Sequence, residues 1–83
     1  MADRRTIDEL KATGAGLPAP ESVAALYRQA FNEFGARALW SSKPAPHPTA
    51  ADALAIVHSL RVEGDLNARR LAERIEAACR AAL

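Results

Sequence analysis

Residues 49–83 read TAADALAIVHSLRVEGDLNARRLAERIEAACRAAL, and this stretch decides the fold. It divides at Glu63-Gly64-Asp65. Glycine enters the left-handed conformation without a Cβ clash, so Gly64 is expected to stop one helix. A carboxylate accepts from the orphan N–H groups of a first helical turn, so Asp65 is expected to start the next. A stop fused to a start leaves almost no loop, and the two helices must fold back as a hairpin. Thr49 opens the earlier helix, with Asp52 three residues on as an acidic capping box. Its apolar stripe is Ala53, Ile56, Val57 and Leu60, widened by Leu54. The later helix carries Ala68, Leu71, Ala72, Ile75, Ala78, Cys79 and Ala82 on one face. Small alanines on that seam permit close helix approach.

Upstream of the hairpin lies Ser41-Ser42-Lys43-Pro44-Ala45-Pro46-His47-Pro48. Alternating prolines force extended backbone on themselves and on their predecessors, so this is a stiff linker. Before it, Pro20-Glu21-Ser22 begins a helix with Val23, Tyr27, Ala30, Phe31, Phe34 and Ala38 on one face. Gly35 interrupts it, but strong helix formers follow, and continuation to about Trp40 is expected. Residues 1–19 read as an arm: Thr6 and Glu9 have capping-box spacing for a short helix over residues 7–12, then Gly14, Gly16 and Pro18 break it. Two turns alone are unstable in water, which favours a frayed, flexible arm.

The expected fold is therefore all-α. It is a three-helix bundle-like domain over residues 20–83, with helices at about 21–40, 50–62 and 66–81 around a Pro-rich linker and a helical hairpin. The large side chains available for its core are few, Leu39, Leu66 and Trp40 among them. At 83 residues, with 49% apolar composition weighted toward alanine, that core is small. Shared burial in a homodimer is one way to enlarge it.

The charge balance excludes several function classes. A net charge of +1 gives no global field for nucleic acid or anionic membrane. One cysteine, Cys79, permits no internal disulfide. The N-terminal residues lack the apolar run of a secretory signal, and no stretch has the length of a membrane span, so a cytoplasmic protein is expected. Ala- and Arg-rich usage fits a GC-rich bacterial genome. His47 sits in the proline linker and His58 on a polar helix face, and neither has partners at a recognised ligand spacing. Cys79 falls on an apolar stripe, where a thiol behaves as a small hydrophobe. No catalytic residue, cofactor site or metal site is expected, and the chain does not read as an enzyme.

Two surfaces remain. Trp40, just before the linker, and Phe34 are the aromatic candidates for docking a protein partner or a second copy. Asn67, Arg69, Arg70 and Arg74 on the last helix are the candidates for nucleic-acid recognition. Against the second reading, Glu73 and Glu76 interleave on that face, and Arg69 with Glu73 and Glu76 with Arg80 sit at i,i+4, where they can pair. The favoured function is a small helical interaction module; a DNA-binding regulator is the alternative. Lys43, Arg37 and Arg61 would make an anion-binding corner only if the fold gathers them near the linker.

Overall fold

The computed structural model describes residues 4–39 and 43–83. The described residues form four helices: α1 (Ile7–Gly14), α2 (Glu21–Phe34), α3 (Ala50–Glu63) and α4 (Leu66–Ala82). The chain is all-α, and among the described residues no strand forms. Each of three helix starts is held by a side chain. Thr6 accepts from the Glu9 N–H at 3.1 Å, and Glu9 reaches back to the Thr6 N–H. Thr49 and Asp52 make the same reciprocal pair, at 3.1 and 2.9 Å. Asp65 accepts from the Ala68 N–H at 3.0 Å. These bonds satisfy donors that helix geometry otherwise orphans.

α3 and α4 pack along each other as the hairpin, with α1 and α2 laid against it. The turn works by a different route from the one expected. Gly64 has φ −95° and ψ 169°, an extended backbone open to any residue. Glycine is required there by proximity: an added Cβ collides with Ala68 Cβ and comes within 2.5 Å of the Leu60 carbonyl oxygen. The left-handed glycine is Gly16, at φ 85° in the α1–α2 connection.

In the N-terminal segment the short helix forms on the expected Thr6–Glu9 capping box. Instead of fraying, α1 extends through Gly14, and Leu10 on its inner face is 0% exposed within the core. The helix is short, and the energy that holds it comes from burial against α3 rather than from its own propensity. Gly14 allows that approach, since a Cβ there would lie 2.9 Å from Ala50 Cβ. Next to it, Ala19 N–H donates to the Pro48 carbonyl at 3.0 Å and Ala50 N–H to the Leu17 carbonyl at 3.1 Å. This antiparallel bridge joins the α1–α2 connection to the end of the proline linker.

α2 was expected to reach Trp40 but ends at Phe34. The N–H groups of Arg37, Ala38 and Leu39 all point to the Phe34 carbonyl, at 3.1, 2.8 and 3.2 Å. That tightened turn carries Ala38 and Leu39 into the core. Burial of those side chains outweighs one more helical turn through Gly35, a poor helix former. Tyr27 then fixes the linker: its hydroxyl accepts from the Ala45 N–H at 2.9 Å. Among the described residues, no side-chain nitrogen or oxygen is buried without a hydrogen-bond partner.

Candidate partner-docking surface

Of the two aromatic candidates, Phe34 is interior. It is 4% exposed, packed in the core with Tyr27 and Leu60, and the Arg37 guanidinium lies 5.4 Å from its ring centroid. A ring in that position offers a partner no surface. Trp40 lies outside the described residues.

The polar candidates on α4 are all on the surface: Asn67, Arg69, Arg70 and Arg74 are exposed. Of the two pairs that i,i+4 spacing offers, Glu76–Arg80 forms, while Arg69 turns elsewhere. Arg69 Nε donates to the Arg61 carbonyl across the hairpin at 3.4 Å. Glu76 is drawn away from the exposed face by Arg61 on α3, at 3.0 Å, and by Arg80, at 3.2 Å. Partial burial by itself would raise the Glu76 carboxyl, but hydrogen bonds from Arg80 and Arg61 outweigh it and hold the group below its ordinary 4.5. Arg80 also bonds the Arg5 carbonyl, and Arg5 donates to the Arg80 carbonyl at 3.2 Å. The cluster thus ties the segment before α1, the end of α3 and the end of α4 together. Among the described residues, Arg70 and Arg74 make no ion pair or side-chain hydrogen bond.

Two of the remaining basic side chains are matched by carboxylates. Arg61 is committed to Glu76, and Arg37 pairs with Asp65 at 3.6 Å. Lys43 is exposed in the linker.

Two side chains that the sequence reading did not assign to a surface stand out at the hairpin tip. Val62 and Leu66 are each 61% exposed, one on either side of Glu63-Gly64-Asp65. Leu66, expected among the core side chains, is in solvent. Helical phase explains the correction: at 3.6 residues per turn Leu66 projects about 180° from Ile75, the centre of the α4 buried face. Val62 projects nearly as far from Leu60 on α3. Leu17, in the α1–α2 connection, is 47% exposed and lies apart from this tip in the chain.

The other chemically capable side chains stay separate. His47 and His58 are both exposed. Among the described residues, no three His, Cys, Asp or Glu side chains group as metal ligands. Cys79 is fully buried, and burial, with Glu76 nearby, pushes its thiol up to about 11. A thiol so placed is protonated and shielded near neutral pH. An open cleft of about 300 Å³ lies between the α1–α2 connection, the start of α2 and the proline linker, with Glu21, Arg28 and His47 at its rim. Its two opposite charges are already spent on each other, Arg28 pairing with Glu21 at 2.9 Å. Among the described residues, no helix is long and apolar enough to cross a membrane.

Compared with known proteins, the chain matches no family model, no curated protein and no solved structure.

Proposed function

We propose that this chain is a non-catalytic interaction module that docks on a protein partner through the tip of the α3–α4 hairpin. In this reading α2, α3 and α4 form a bundle-like scaffold, and α1 braces it. The observation that carries the proposal is the exposure of Val62 and Leu66. The core is filled by other residues, so the fold has no use for two large apolar side chains at a solvent-facing turn. Covering them supplies about 2–4 kcal/mol together, given their present partial burial. A micromolar complex needs about 8 kcal/mol, so the pair anchors a contact that other groups must complete. Homodimerisation through the tip is the variant of this reading in which the partner is a second copy.

The test is crosslinking from a photoreactive side chain at position 66, with exposed Ala12 on α1 as the control site. The proposal expects a discrete protein adduct from position 66 and none of that mass from position 12. Equal adducts from both sites contradict it.

One observation favours the alternative, a nucleic-acid contact by Asn67, Arg69, Arg70 and Arg74. With Glu76 neutralised by Arg61 and Arg80, less negative charge opposes those arginines than their spacing implies. Three phosphate contacts give a salt slope near −2.7, or about a forty-fold loss of duplex affinity between 50 and 200 mM salt. Fluorescence anisotropy of a labelled duplex reads that slope directly, and Arg69→Glu with Arg70→Glu should abolish binding.

A further inference from the structure

We draw no further inference here: the strongest candidate, the open cleft between the α1–α2 connection, the start of α2 and the proline linker, carries nothing, because the Arg28 and Glu21 charges at its rim pair with each other at 2.9 Å and, among the described residues, no buried side-chain nitrogen or oxygen is left for a ligand to satisfy.

Discussion

Gly64 lies so close over Ala68 that an added Cβ collides with the Ala68 side chain and sits 2.5 Å from the Leu60 carbonyl oxygen. The α3–α4 turn is therefore tight because two helix ends touch, not because the backbone turns left-handed. The two causes give different mutant series. A left-handed glycine accepts asparagine with little loss. At Gly64 both Gly64→Ala and Gly64→Asn should destabilise by about 1–3 kcal/mol, the usual range for forcing atoms into packed space. Urea denaturation of the two variants checks this, and a tolerated asparagine would show the steric account to be wrong.

α1 belongs to the cooperative core through Leu10. The side chain is 0% exposed and packs within the core. Leu10→Ala should cost about 2–4 kcal/mol, the range for truncating a buried leucine. Ala12→Ser, on the exposed side of the same helix, should stay within about 0.5 kcal/mol. Equal, small effects at both positions would mean that α1 is not docked in solution.

Why the docking of α1 and the exposure of the tip escaped a sequence reading, while the hairpin did not, has a physical answer. The signals at Thr49–Asp52 and Asp65 are local: a side chain within three residues of the backbone group it satisfies. Such signals survive without knowledge of the tertiary structure. The fate of Leu10 depends on α3 supplying a surface for it, and on Gly14 allowing helix ends to meet at Ala50. Neither is a property of residues 1–19 alone. The early end of α2 is similar, because it follows from Leu39 finding the core. The candidate surface was half legible. Asn67, Arg69, Arg70 and Arg74 are exposed as their helical phase implies, but that Glu76 turns toward Arg61 required the position of α3.

Glu76 makes stability depend on acid in a definite direction. Its carboxyl is held below 4.5 in the folded chain, chiefly because hydrogen bonds from Arg80 and Arg61 outweigh its partial burial. A group with a depressed folded value contributes stability that is fully present above its unfolded value and is lost as pH falls through the folded one. Denaturation midpoints should thus drop as pH falls below 4.5, and Glu76→Gln should make that drop shallower while lowering the midpoint near neutral pH. A Glu76→Gln profile parallel to that of the unmodified chain would remove this residue from the acid response.

The central claim is that the hairpin tip is a working surface rather than part of the fold. Val62→Ser combined with Leu66→Ser tests it most directly, by thermal melting alongside the yield of the partner adduct under chemical crosslinking. Both side chains are mainly in solvent, so the melting temperature should move by no more than about 4 °C, while the adduct should be lost. A melting temperature lowered by about 10 °C or more, or an adduct formed at full yield, would contradict the claim.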